Sequence, residues 1–300
     1  MGVKIAVAAA ALALAASPSE FVASHQQSDG GFAETGQSAD ANLTAWAVLG
    51  LSAAGKAPDR SPADYLSEAP ATSANDLALR ILALRALGRD TGALVGRLEG
   101  MRGPNGRIGT LVNSTIWGVL ALRAAGRPAG TSVRYLRTAQ RRSGGWSWYP
   151  RGAPDSNDTA AAIQALRAAG TGSRARTIKR GLAYLRQLQR PDGGFALAPG
   201  RSSDAQSTAW AIQAFLAAGQ QPGRAAFRYL ASLRRADGSY RYSKRYAVTP
   251  VWVTSQVLPA LARRPFPLKG LAGRCSSPGC DGRSEAADAG SPGSHHYRGD

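Results

Sequence analysis

The sequence predicts an all-α protein, an α6/α6 toroid built from about six helix-hairpin repeats. Three observations lead there. The phrase RQLQRPDGGF at 186–195 recurs as SHQQSDGGF at 24–32, RTAQRRSGGW at 137–146 and ASLRRADGSY at 231–240, so a glycine turn punctuates the chain as a repeat. The segment before each turn is apolar on one face and arginine-rich on the other, as Tyr184, Leu185 and Leu188 against Arg186 and Arg190 show, which is the pattern of a half-exposed helix. The segment after it, such as STAWAIQAFLAAG at 207–219, is apolar on nearly every face and must be buried on both sides. Pairs of that kind form two concentric layers, and a closed ring hides the ends that an open solenoid exposes.

In chain order, the N-terminus MGVKIAVAAAALALAAS carries one basic residue, Lys4, an uncharged run from Ile5 to Ala16, and Ala13 and Ala15 at A-x-A spacing. It predicts a secretory signal peptide over 1–16, too short for a membrane span, and hence a secreted or cell-surface protein with no transmembrane span in its mature chain. The toroid follows over 17–264. Asp29 marks its first turn, and after a double gap Asn105, Ser143, Asp192 and Asp237 mark later ones, roughly 38 to 49 residues apart. A degenerate unit that starts near Tyr65 and closes on LALRALG at 82–88 fills the gap, its ending matching those at Gly126, Gly170 and Gly219. In each turn the Gly pair, Gly193 and Gly194 for example, allows the positive φ that reverses the chain after a helix. The Gly that closes each second helix fits the position just past its last turn. Residues 265–300 are Gly-, Ser- and Pro-rich and read as a disordered tail. The only cysteines, Cys275 and Cys280, lie in it, which excludes a disulfide framework and fits at most a small local loop.

A content of 44% hydrophobic and 7% aromatic residues is that of a globular chain with a core. The formal charge of +18 and isoelectric point near 10.9 would signal nucleic-acid binding if the charges clustered. They do not: lysine is confined to Lys4, Lys56, Lys179, Lys244 and Lys269, and arginines such as Arg134, Arg137, Arg186 and Arg190 are spread over helix surfaces. This describes a solvated basic exterior and no nucleic-acid partner, with an anionic cell-surface polymer as a weak partner.

Counting back from the Gly that closes each second helix aligns Asn42, Asn75, Asn113, Asn157, Gln206 and Thr249 at the helix start. Two residues earlier stand Asp40, Ser73, Asp155 and Asp204, and two later Thr44, Leu77, Thr115, Thr159, Thr208 and Val251. The Asp and Thr columns are expected to cap free N–H groups of the first turn, at about 1 kcal/mol each. The Asn column has two readings. It is a further set of caps, or a ring of amides gathered with the helix N-termini at one mouth, where the polar or anionic head of a ligand would sit. Its N-x-T strings at Asn42, Asn113 and Asn157 match glycosylation sequons, but they arise from the repeat inside helices and are discounted. Four residues past the Asn column come Trp46, Leu79, Trp117, Ala161, Trp210 and Val253, which either line an apolar cavity or pack between the helix layers. The run GGWSWY at 144–149 precedes a second helix and is expected over the mouth.

These residues resemble the terpenoid cyclase and protein prenyltransferase superfamily, with its α/α toroid and QW-type repeats. Tyr184, Leu185, Gln189, Gly193, Gly194 and Phe195 match one repeat, as do Tyr135, Leu136, Gln140, Gly144, Gly145 and Trp146, and then Phe21, Gln26, Gly30, Gly31 and Phe32. Arg234 replaces the Gln in the last unit. The string PDSNDTA at 154–160 is similar to the D-x-D-D-T-A acid motif of squalene-hopene-type class II cyclases at Asp155, Asp158 and Thr159. Asn157 stands where the resemblance implies the proton donor, and a carboxamide has no acidic proton to give. The zinc that prenyltransferases hold through Asp, Cys and His finds only His25 and no cysteine in the ring, whereas such a site takes three or four ligands; no metal or cofactor is expected. The ring is also similar to that of secreted cobalamin carriers of the intrinsic-factor type, without their second, β-rich domain.

Three functions follow as expectations. The first is an exported toroid without catalysis that binds a hydrophobic or amphipathic small molecule, or a partner, through Asn42, Asn75, Asn113, Asn157, Asp158, Gln206, Trp46, Trp117 and Trp210. The second is a small class II terpene cyclase or isomerase with Asp158 or Asp76 as acid, recognisable by a buried carboxyl with a raised pKa. The third is a structural adhesion module at the cell surface.

Overall fold

The computed structural model describes residues 16–268; the predicted signal peptide, save Ala16, and residues 269–300 with both cysteines lie outside them. The described chain alternates short outer helices with longer inner ones. The outer helices are α1 (Pro18–Ala23), α3 (Ala63–Glu68), α5 (Gly92–Gly100), α7 (Ser132–Ala139), α9 (Arg176–Gln187) and α11 (Arg224–Leu233). The inner helices are α2 (Ala41–Ala54), α4 (Ala74–Ala86), α6 (Val112–Ala124), α8 (Ser156–Ala168), α10 (Ala205–Ala217) and α12 (Pro250–Leu261). Two short strands, β1 (Phe195–Ala196) and β2 (Ser203–Asp204), pair antiparallel before α10.

Each inner helix packs on the next, and α12 returns to α2, so the ring closes. Every residue of α2 from Leu43 to Ala53 is buried, because its neighbours and the outer layer cover all its faces. On α9 burial is confined to Ile178, Gly181, Leu182, Tyr184 and Leu185, a stripe at helical spacing that covers α8 and α10. Each large side chain so buried contributes about 1.5–3 kcal/mol, which is why an apolar face is enough to seat a two- or three-turn outer helix.

The glycine turns join one unit to the next. Asp192 Oδ1 accepts from Gly194 N at 3.0 Å, an Asx turn. Gly193 takes φ +87°, and a Cβ on it would stand 2.6 Å from the carbonyl oxygen of Ala225 at the start of α11. Gly194 needs no positive φ; its missing Cβ makes room for the Tyr229 ring. The repeated glutamine spans the same joint: Gln140 Nε2 donates to Gly144 O at 2.7 Å and to Thr177 O, on the next outer helix, at 2.9 Å. Gln26 bonds Gly30 O and Arg60 O in the same way. Arg234, in place of the last Gln, donates to Ala16 O at 3.0 Å, joining the sixth unit to the first. The second unit has no glycine turn, and there Arg80 donates to Ala69 O and Pro70 O, and Arg97 to Ala71 O.

Three expectations are corrected. Asp40, Ser73, Asp155 and Asp204 do cap α2, α4, α8 and α10, but the Thr column does not cap. Thr44, Thr115, Thr159 and Thr208 accept through Oγ1 the N–H of Phe32, Ile108, Trp146 and Phe195, the residues that follow the turns, at 2.8–3.0 Å. The sixth member is Thr254, which binds Tyr240 N at 2.9 Å, and not Val251. Counting back from the helix end slips by three residues here because α12 ends without glycine, Arg263 taking the positive φ of 54°. Trp252 and Gln256, rather than Thr249 and Val253, therefore occupy the sixth places of the Asn and Trp columns. Finally, Pro265 to Leu268, assigned above to the tail, belong to the folded ring: Phe266 is 3% exposed and its N–H binds Gln164 Oε1 at 2.8 Å.

Candidate functional site

The first turns of all six inner helices meet at one mouth, above a cavity of about 550 Å³, within the range of about 300–1,000 Å³ usual for small-molecule sites. Its wall is two stacked rings. Asn42, Asn75, Asn113, Asn157, Gln206 and Trp252 form the upper one, and Trp46, Leu79, Trp117, Ala161, Trp210 and Gln256 the lower. All nine residues singled out from the sequence, Asp158 among them, line this cavity. Trp252 and Gln256 were missed with the slipped register, and the interval from turn aromatic to column Thr would have found them: it is 13 residues at Thr159 and Thr208 and 14 at Thr254.

The amides form a network. Asn75 Nδ2 donates to Asn113 Oδ1 at 2.9 Å, and Asn113 Nδ2 donates to Asp158 Oδ1 at 2.5 Å. Across the mouth Gln256 Oε1 accepts from Gln206 Nε2 at 2.8 Å and from Trp210 Nε1 at 3.1 Å. Asn157 Oδ1 accepts from Ser156 Oγ at 3.2 Å, and Asn42 is exposed. Capping is thus left to the Asp column and the amides face the cavity, where the positive ends of six helix dipoles converge. Buried Asn75 Oδ1 and Asp158 Oδ2 meet no hydrogen-bond donor.

The lower ring closes the axis. Trp46, Trp117 and Trp210 meet edge to face in all three pairings, with centroids 5.4–5.7 Å apart and planes at 84–87°, the geometry the ring quadrupoles favour. They pack across the bore rather than between the layers, and their upper surfaces are the cavity floor. Trp148, 43% exposed, hangs over the mouth as expected and lines it.

Two carboxyls stand at the start of α8. Asp158 is 3% exposed; burial, and then the neighbouring Asp155 carboxyl, push its pKa well above the usual range against the opposing bond from Asn113. Burial also raises Asp155, and Tyr184, desolvated and beside Asp155, is pushed up to about 12. Asp76 is held in a capping box with Ser73. Among the described residues no group of three or more His, Cys, Asp or Glu side chains could hold a metal ion, and no helix is long and apolar enough to cross a membrane.

The squalene-hopene cyclase C-terminal domain family matches residues 120–273, and the prenyltransferase alpha-alpha toroid domain matches residues 5–96. Among solved structures the chain is similar to type II terpene cyclase MstE from Scytonema, at 16% identity and TM-score 0.63 over 82% of this chain and 96% of that one. A protein from Actinoplanes is similar at 18% identity and TM-score 0.63, over 82% and 97%. The ent-copalyl diphosphate synthase from Streptomyces platensis is similar at 21% identity and TM-score 0.58, over 74% of this chain and 50% of that one. No curated protein matches the chain.

Proposed function

The chain belongs to the squalene-hopene cyclase C-terminal domain family, and from that premise we propose that it is an exported toroid that binds an isoprenoid-type amphipathic ligand in its central cavity without cyclising it. The observation that carries this reading is the stacking of a ring of amides over a floor of indoles. An apolar chain resting on Trp46, Trp117 and Trp210 gains burial, and a polar head at Asn75, Asn113 and Gln206 meets donors, acceptors and helix N-termini. The similar MstE has been solved in complex with its substrate, geranylgeranyl dihydroxybenzoate, a ligand of that chemistry. The absence of cyclisation rests on Asn157, which fills the place of the acid.

One observation favours a second reading. Asp158 Oδ2 is buried at the cavity without a partner, and the carboxyl is held toward its neutral form, the state in which an acid can donate. Asp158 would then add its proton to one carbon of an alkene. The cation at the adjacent carbon would lie over the indole faces. Attack by a second double bond would close a ring and move the charge to a further carbon, and loss of a proton from the last cation to a base such as water would end the sequence. Mature protein incubated in D2O with geranylgeraniol and with geranylgeranyl dihydroxybenzoate separates the readings. We expect one-to-one complexes by native mass spectrometry and, on extraction, unchanged ligand. No complex overturns the binding reading; a deuterated, cyclised product that disappears in D158N establishes the second.

A further inference from the structure

The bore of the ring does not end at the tryptophan floor. Beneath it, the chain leaves α12 and folds back across the C-terminal mouth of the inner ring, where Phe266 enters the axis. Its ring centroid lies 5.7 Å from that of Trp210, 6.2 Å from Trp46 and 6.5 Å from Trp117. The seat is specific: Phe266 N donates at 2.8 Å to Oε1 of Gln164, a fully buried side chain of α8. Gln164 lies seven residues past Asn157, and the same place in the first three units is held by Leu49, Leu82 and Leu120. In the fifth unit the place is held by Gln213, also fully buried, and in the sixth by Pro259. A buried polar side chain costs desolvation unless it finds a partner, and for Gln164 the backbone of the returning segment supplies one. Nearby Arg264 donates to Ser52 O and Ala53 O at the end of α2, fastening the segment at a second point.

We propose that Phe266 is a plug that sets the depth of the cavity: it props the three indoles from below and thereby limits the length of apolar chain the cavity accepts. The indoles have no other aromatic support from that side among the described residues. A phenyl ring removed from beneath them leaves a void into which they, or a longer ligand, can move, since a close-packed interior relaxes only partly around lost volume. The specificity claim rests on the reading of the cavity as a ligand site, and the prop does not.

Two variants test it. F266A removes the plug, and Q164L removes its latch while placing in the layer the residue that three sister units already carry. With the prenyl alcohols of ten, fifteen and twenty carbons, titrated against intact protein, we expect F266A to move the preferred length up by about one five-carbon unit. It should bind the next longer alcohol about tenfold or more tighter than the parent does, and Q164L should shift in the same direction by less. An unchanged length preference in both variants, with native circular dichroism, overturns the proposal. If the parent binds none of the alcohols, the binding reading fails, and the plug is judged by acrylamide quenching of tryptophan emission in a W148F background. There F266A should steepen the quenching slope at least about twofold over its parent, as water and quencher reach the floor; an unchanged slope overturns the prop as well.

Discussion

Asp204 and Asp158 stand one turn apart in role although both begin an inner helix. Asp204 caps α10, accepting from Ser207 N at 2.7 Å and Ser207 Oγ at 2.8 Å, yet burial outweighs those bonds and raises its pKa to about 6. An acid whose pKa is higher folded than unfolded favours the protonated fold. The contribution of Asp204 to stability is therefore greatest below about pH 4, falls while only the unfolded chain ionises, and levels off above about pH 6. The size is about 3 kcal/mol. Urea melts from pH 3.5 to 7 should show this decline, and D204N, which keeps a side-chain cap, should flatten it by about that amount; an equal slope in D204N would show that folding does not raise the Asp204 pKa. Asp155 and Asp158, both raised by burial, shift stability in the same direction and leave a residual slope. The motif PDSNDTA made Asp158 visible in the sequence, but its burial was not, because the covering side chain, Asn113, comes from a helix 45 residues away.

At the scale of elements, the repeat motif is a joint. Its Gly, Gln and Asp were legible as a turn, since their φ and Asx requirements are local, whereas their contacts with the next outer helix were not. The two kinds of glycine separate these contributions. Gly219 has φ +71° with nothing within 4 Å of an added Cβ, while Gly193 has φ +87° and the Ala225 backbone at 2.6 Å. G219A should lose about 1–2 kcal/mol, the cost of left-handed backbone in a residue with a Cβ. G193A should lose at least about 2 kcal/mol more, because the start of α11 must move. Equal losses in equilibrium unfolding would show that the turn does not bear on its neighbour. The degenerate second unit fits this account, since arginine-to-carbonyl bonds from Arg80 and Arg97 hold the stretch where the turn is missing.

At the scale of the whole molecule, the ring closes where its first and last units meet. The N-terminus of α12 has no side-chain cap of its own, and Glu34, from the first unit, takes that place: its two oxygens accept from Val251 N at 3.0 Å and Trp252 N at 2.9 Å. A carboxylate on helix N–H groups satisfies both the orphan donors and the dipole. E34A should destabilise the protein by about 2 kcal/mol, and because Trp252 lines the cavity, it should also weaken any ligand bound there. If the ring unfolds as one unit, the dependence on urea keeps its slope; a shallower or two-step transition would show that the seam opens separately. The similarity to solved structures at 21% identity or less shows this ring and not its chemistry, which is why Asn157 and Asp158 decide the functional reading.

Six units, two concentric layers and the polar and indole columns at the inner helix starts were all present in the sequence, because a repeat writes each of them several times and each depends on spacing within one helix pair. The seat of Phe266 beneath the floor and the Glu34 clasp were not, since each is a single pairing with no sister copy. They join residues 102 to 218 positions apart, and contacts that distant exist only once the ring has closed.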